Sequence, residues 1–154
     1  MTEIEAARRR RKTMRRVNVP MRAVLGLPFP TPLGGALMLV HYTGRKSGRA
    51  YRQPVSYVRD GDVLLTPGGG RWTLSLAGGA PVRLRVRGRD VMARPELVTD
   101  PEEIQRLFTV IEAKNPRAGR FIPIPKRADG TLEPAALQRA IDHGFCIVRW
   151  HLPT

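Results

Sequence analysis

Between Gly35 and Trp72 each apolar run is short and each is closed by a tight-turn signal. Ala36-Leu37-Met38-Leu39-Val40 leads into Thr43-Gly44-Arg45-Lys46-Ser47-Gly48, Pro54-Val55-Ser56-Tyr57-Val58 runs to Arg59-Asp60-Gly61-Asp62, and Val63-Leu64-Leu65-Thr66 stops at Gly68-Gly69-Gly70-Arg71-Trp72. Short runs punctuated this way read as strands, and Asp60-Gly61 predicts a type I′ hairpin turn, which needs positive φ. Further on, Val82, Leu84 and Val86 alternate with Arg83, Arg85 and Arg87, so that strand has one apolar and one cationic face. Several short strands without β-α-β alternation predict a small antiparallel barrel, mainly β, rather than a parallel sheet.

Helical signals lie at the two ends. Glu3 to Val17 has helix-forming composition, although Arg8-Arg9-Arg10-Arg11-Lys12 and Arg15-Arg16 put like charges one turn apart. Pro20 interrupts it, and Pro28, Pro30 and Pro32 force an extended crossing. Asp100-Pro101-Glu102-Glu103 is a helix start with a capping box, and Ile104, Leu107, Phe108 and Ile111 follow at the spacing of one buried stripe. Asn115 to Gly130 reads as a long connection, Pro134 to His143 as a short helix ended by Gly144, and Phe145 to Leu152 as a last strand. The expected organisation is a basic helix and Pro-rich crossing over residues 1–34, then one barrel domain over residues 35–154 with helices packed on it.

Charge narrows the partner. From Ala6 to Arg59 there are thirteen Lys or Arg residues and no Asp or Glu, which accounts for nearly all of the net charge of +14. A phosphate- or carboxylate-bearing partner follows, whether small molecule, membrane surface or nucleic acid. The turn from Thr43 to Gly48 and the glycine-rich Gly68 to Gly70 offer cations and backbone N–H groups together, an anion-binding combination if the two meet at one end of the sheet; the plain alternative for the first is a solvated hairpin turn.

Other chemistries find less support. Arg45 stands where a phosphate loop needs its second glycine, and a strand follows where that loop needs a helix. His41, His143 and His151 have no carboxylate or thiol at ligand spacing. Ser47, Ser56 and Ser75 lack a nucleophile elbow. Cys146, the single cysteine, sits in an apolar run as a buried, inert thiol and excludes an internal disulfide, which fits a reducing cytoplasm. No secretory signal and no run of about 20 apolar residues is visible. With no acid–base group standing out, reactive chemistry is expected from a bound organic cofactor, and no catalytic residue is assigned.

The order of these motifs carries a resemblance. The apolar strand, Thr43-Gly44-Arg45-Lys46-Ser47-Gly48, Pro54, Tyr57-Val58-Arg59-Asp60-Gly61, Gly68-Gly69, Trp72 with Leu74 and Leu76, and Pro81-Val82 together resemble the deazaflavin-dependent nitroreductase family from Gly35 to about Ile111. Arg71 stands directly after a shortened glycine run, and Tyr51 stands where many members have Arg. The resemblance implies a split β-barrel of the FMN-binding type and an oxidoreductase that uses the 8-hydroxy-5-deazaflavin coenzyme F-420, with FMN as the alternative. It implies coenzyme contacts from Arg45, Lys46, Ser47, Gly48, Pro54, Thr66, Gly68, Gly69, Gly70 and Arg71. Trp72 belongs either beside that pocket or in the core.

The expected reaction is hydride transfer to or from a small lipophilic conjugated acceptor such as a quinone. The alternative is a non-catalytic coenzyme- or lipid-binding barrel at a membrane surface. Arg8 to Arg16 would attach the protein to an anionic membrane, on its inner face in a cytoplasmic protein. A specific nucleic-acid partner is disfavoured because the strand cations lack interleaved aromatics. The resemblance also implies a homodimer, and the alternative is a monomer, which the basic first helix favours.

Overall fold

The computed structural model describes residues 37–44, 46–119 and 122–153, without the side chains of Ala118 and Gly119. The basic helix and Pro-rich crossing expected over residues 1–34, and Arg45, lie outside the described residues.

Seven strands form one sheet: β1 (Leu37–Thr43), β2 (Ala50–Ser56), β3 (Val58–Asp60), β4 (Val63–Gly68), β5 (Val82–Val86), β6 (Arg89–Val98) and β7 (Cys146–His151), in the order β2-β1-β5-β6-β7-β4-β3. Every neighbouring pair is antiparallel. The two edge strands, β2 and β3, are separated only by Tyr57, so they are one bent stretch of chain and the sheet curls back onto itself. Following the registers from Arg52 through His41, Arg83 and Met92 and on round the sheet returns to the level of Asp62, ten residues along that same stretch. Such a stagger is what tilted strands need to close a barrel.

The barrel is split. β3 pairs with β4 only over Val58↔Leu65 to Asp60↔Val63, and β2 pairs only with β1. Thr66, Pro67 and Gly68 therefore have a ladder partner on the β7 side alone, and they face the unpaired edge of β2 across an opening.

Alternation sorts the side chains as the sequence predicts. Met38, Val40, Val55, Leu64, Leu84, Ala93, Val148 and Trp150 fill the interior, with Val82 and Val86 against them. The intervening Arg83 and Arg87 are exposed on β5 and the turn after it. Burying the Cys146 thiol in this interior pushes its pKa up to about 11, which makes it the inert thiol expected.

On the outside, α2 (Pro101–Lys114) lays Ile104, Leu107, Phe108 and Ile111 over Leu65, Val98 and Ile147. Asp100 caps it, accepting from Glu103 N at 3.0 Å. The other half of the expected capping box is replaced: the Glu103 carboxylate takes bonds from Arg106 and from Arg149 of β7. A four-residue α1 (Arg71–Leu74) follows the glycine run, and α3 (Pro116–Gly119) interrupts the Asn115–Gly130 connection, whose Ile122 and Ile124 are buried in the same cluster as the α2 stripe. The last helix, α4 (Pro134–Asp142), is capped by Glu133 and followed by Gly144 at φ +104°. No helix among the described residues is long and apolar enough to cross a membrane.

The hairpin turns correct one expectation. The loop between β3 and β4 is Gly61-Asp62, with positive φ only at Gly61 (+60°), the pattern of a type II′ turn rather than I′. The I′ pattern occurs between β5 and β6, where Arg87 (+51°) and Gly88 (+78°) both have positive φ. Ladder register, set by burial of the flanking side chains, decided which two residues became the loop.

Candidate functional site

The opening gathers the predicted residues along its two sides. On the β2 side stand Pro54, buried on the outer face opposite Leu39, and the turn that precedes the strand. On the β4 side stand Thr66, Gly68, Gly69 and Gly70, then Arg71 and Trp72 of α1. β1 and β4 run in the same direction, so the chain leaves both at the same end. Counting on from Val58↔Leu65 sets Gly69 level with Pro54, with Gly48 six residues farther along, or up to roughly 20 Å at strand rise. The two bends thus border one opening but are staggered along it, which suits an elongated ligand better than a single point of grip.

The first bend is held by its backbone. Gly44 N donates to Arg49 O at 2.8 Å and Gly48 N to Gly44 O at 3.0 Å, and Gly48 has φ +67°. Ser47 Oγ accepts from Arg49 N at 3.2 Å and lies 3.3 Å from the Tyr51 hydroxyl, whose ring stacks on Tyr42 with centroids 5.4 Å apart. Tyr51 therefore braces the turn. Lys46 is exposed and, among the described residues, without an ion-pair partner.

The second bend divides into packed and open parts. A Cβ on Gly68 would lie 3.1 Å from Thr73 Cγ2 and 3.2 Å from Val148 Cγ2, so glycine there serves close packing. Gly70, at φ +91°, has open space where a Cβ would stand, and its carbonyl accepts from Thr73 Oγ1 at 2.8 Å. The Thr66 hydroxyl is fully buried and accepts from Trp150 Nε1 at 2.9 Å; Trp72 stacks on Trp150 at 6.5 Å. Thr66 and Trp72 form the wall behind the opening, while Lys46, Gly70 and Arg71 are at its surface.

A second feature was not read from the sequence. The outer face of β2, β1 and β5 carries a concavity of about 530 Å³, lined by Arg52, His41 and Arg83 in one cross-strand row, with Thr43, Tyr51 and Pro81 around them. Arg83 Nη2 lies 3.1 Å from His41 Nδ1. Partial burial first, then Arg83, Arg52 and Arg85, push the His41 pKa down, against Asp90, which raises it. The alternation in β5 announced Arg83, but only the registers bring Arg52 and His41 beside it.

The comparisons with known proteins bear on the opening. A sequence model described as F420H(2)-dependent quinone reductase matches residues 7–122, well over half of the chain. The chain belongs to this family. Membership bears out the resemblance, the enzyme class, an F-420-dependent oxidoreductase, and the cofactor, coenzyme F-420. No curated protein matches the sequence. Among solved structures, a protein of unknown function from Agrobacterium tumefaciens is similar at TM-score 0.56 and 10% identity, covering 78% of this chain and 49% of its own. This chain thus spans about half the length of that relative. A putative 5-nitroimidazole antibiotic resistance protein from Bacteroides thetaiotaomicron is similar at TM-score 0.50 and 14% identity, over 79% and 76% of the two chains. A chain described as a domain-swapped dimer reaches TM-score 0.52 at 13% identity, over 95% and 98%. These likenesses support the fold, and the quinone reductase family match spans both sides of the opening.

Proposed function

We propose that this member of the family transfers hydride from reduced coenzyme F-420 to a quinone, with the coenzyme lying along the split of the barrel. The family match from residue 7 to 122 carries the reading, since it includes every residue on both sides of the opening. The residues present fit the group: an exposed cationic turn stands at one end, and open space with positive φ stands at Gly70 near the other.

Coenzyme F-420, when bound, supplies a two-electron hydride from its reduced deazaflavin ring. Arg45, Lys46 and Ser47, on the turn that the Gly48 N–H closes onto Gly44 O, would hold its phosphate and acidic tail, and charge-assisted hydrogen bonds of about 1.5 to 3 kcal/mol each make a micromolar affinity reachable. Pro54 would wall the ring, Gly69 and Gly70 would let backbone approach it beyond the packed Gly68, and Arg71 would add a cation. Thr66 and Trp72 act from behind, keeping that wall rigid through Trp150. These groups position and desolvate the reactants. Quinone plus hydride plus one proton gives the hydroquinone.

Titration of the full chain with F-420, against the double variant Arg45→Ala with Lys46→Ala, tests the coenzyme assignment; equal, weak binding by both sinks it. Oxidation of reduced coenzyme by a panel of quinones and enones tests the reaction, and binding without turnover would instead make this a carrier.

A second element concerns place and assembly. The seven cations between Arg8 and Arg16 would bring a protein with a lipophilic acceptor to an anionic bilayer at about 1 kcal/mol each before screening. Deleting residues 1–19 then abolishes pelleting with anionic liposomes and spares coenzyme binding; loss of both contradicts that division. Homodimer formation belongs to the same reading, and sedimentation as a monomer at working concentration would remove it.

A further inference from the structure

We propose that Arg52, His41 and Arg83 form an oxyanion-binding subsite on the outer face of β2, β1 and β5, beside the residues assigned to the coenzyme. The row is direct: His41 is opposite Arg52 in one ladder and opposite Arg83 in the other. Side chains so placed stand about 5 Å apart at Cβ, and like charges gathered there repel. Among the described residues, the surrounding concavity has no Asp or Glu in its lining. Among the described residues, the acid that acts on this row, Asp90, is taken by Arg85 at 2.9 Å and reaches Arg83 only at 4.0 Å. Arg52 is exposed and has no hydrogen-bond or ion-pair partner among the described residues. Two guanidinium groups flanking a concavity, one of them unpartnered, fit a ligand that brings negative oxygens, since each can donate two parallel bonds to a phosphate, sulfate or carboxylate.

His41 makes the site readable. A guanidinium has no lone pair, so His41 Nδ1 must accept from Arg83, which fixes a neutral ring with its proton on Nε2. The charged groups facing this ring are Arg83 and Arg85 of β5, Arg52 of β2 and Asp90 of β6. An anion seated between the guanidinium groups offsets their field, so it favours His41 protonation, and by linkage acid strengthens anion binding. The inference stands on the row and the concavity, independent of the coenzyme assignment. The shared chemistry has two sources, the coenzyme's own acidic tail or a separate phosphorylated or carboxylated molecule.

Sulfate is the probe, because it does not titrate where histidine does. Imidazole resonances of the full chain are followed across pH in sodium sulfate and in sodium chloride of equal ionic strength. The expected result is a saturable upward shift of the His41 midpoint in sulfate, by about one pH unit, with His143 and His151 alike in both salts. Arg52→Gln should weaken sulfate binding at least about tenfold, with unchanged dispersion elsewhere in the spectrum reporting the fold. Equal His41 shifts in the two salts, or an unaltered sulfate affinity in Arg52→Gln, overturns the proposal. Addition of F-420 then separates the sources: displacement of sulfate at His41 assigns the coenzyme tail, and retained sulfate assigns a separate oxyanion, either outcome keeping the subsite.

Discussion

The outer face of the sheet is built in two ways. Over β6, β7, β4 and β3 it is apolar at Leu65, Val98 and Ile147, covered by α2 and α4, and Arg149 and His151 are paired there: Arg149 meets Glu96 and Glu103, and His151 meets Glu96. Over β2, β1 and β5 it is buried at Leu39 and Pro54 but ends in Arg52, His41 and Arg83 around an open concavity, with one acid nearby. The backbone alternation is the same in both halves. What differs is whether charge is compensated among the described residues: compensated arginine fastens a helix to the sheet, and Arg52 is left without such a partner.

The widest separation between the halves should come from truncating the covered one. Leu107→Ala removes a fully buried side chain between α2 and the sheet and should cost about 2 to 5 kcal/mol, read as a fall in the urea midpoint at unchanged m-value. A loss below about 1 kcal/mol would mean that α2 is an ornament on the barrel and that the two halves are not so different.

Gly68→Ala comes next and tests the side of the opening rather than either outer half. The new methyl meets Thr73, Val148 and Cys146 at 3.1 to 3.4 Å, so overpacking of about 1 to 3 kcal/mol is expected. Gly70→Ala meets no atom and carries only the strain of φ +91°. A larger stability loss at Gly70 than at Gly68 would reverse the division between packed and open glycine drawn above.

The charge network of the covered half has an acid limit. Bonds from Arg106 and then Arg149 hold the Glu103 carboxyl down to about 2. A depressed carboxylate stabilises above its unfolded range, near 4.5, and the contribution disappears as pH falls toward 2. The stability gap between the natural chain and Glu103→Gln should therefore be constant above pH 5 and close between about pH 4.5 and 2. Glu96, Asp129 and Glu133 are also depressed, by Arg149, by Thr131 and by backbone N–H groups respectively, so both proteins lose stability in acid and only the difference reports Glu103. A gap that keeps its full size at pH 2.5 would show that Glu103 acts through packing, not charge.

Local chemistry was legible in the sequence, and closure was not. Asp100-Pro101 announced α2, Ile104 to Ile111 announced which way it faces, and Val82 to Arg87 announced a strand with one cationic side, because each signal lies within a few residues of its effect. The I′ turn fell at Arg87-Gly88 instead of Asp60-Gly61, since register belongs to pairs of strands rather than to a dipeptide. The site divides the same way. Lys46 to Gly48 and Gly68 to Gly70 were visible as bends, but their stagger follows from the ten-residue displacement of the barrel. Thr66 read as a ligand contact, and only the distant Trp150 reveals where its hydroxyl is used. The row of Arg52, His41 and Arg83 joins three strands and leaves no local trace.

The smallest expected effect is the sharpest test of the comparison. Arg52→Gln removes an exposed guanidinium that has no partner among the described residues, so its stability cost should stay within about 0.5 kcal/mol at moderate salt. At low salt the change should turn stabilising, because repulsion from Arg83 and from the rest of the basic surface is then least screened. Arg149→Met on the covered half should behave oppositely: it strands Glu96 and Glu103, costs about 1 kcal/mol or more, and costs most at low salt, where the lost attraction is strongest. Measured side by side, the two arginine variants should diverge in urea midpoint as salt is lowered. If they instead shift in parallel, the sign of the local field is the same in both halves, and compensation cannot be what separates them.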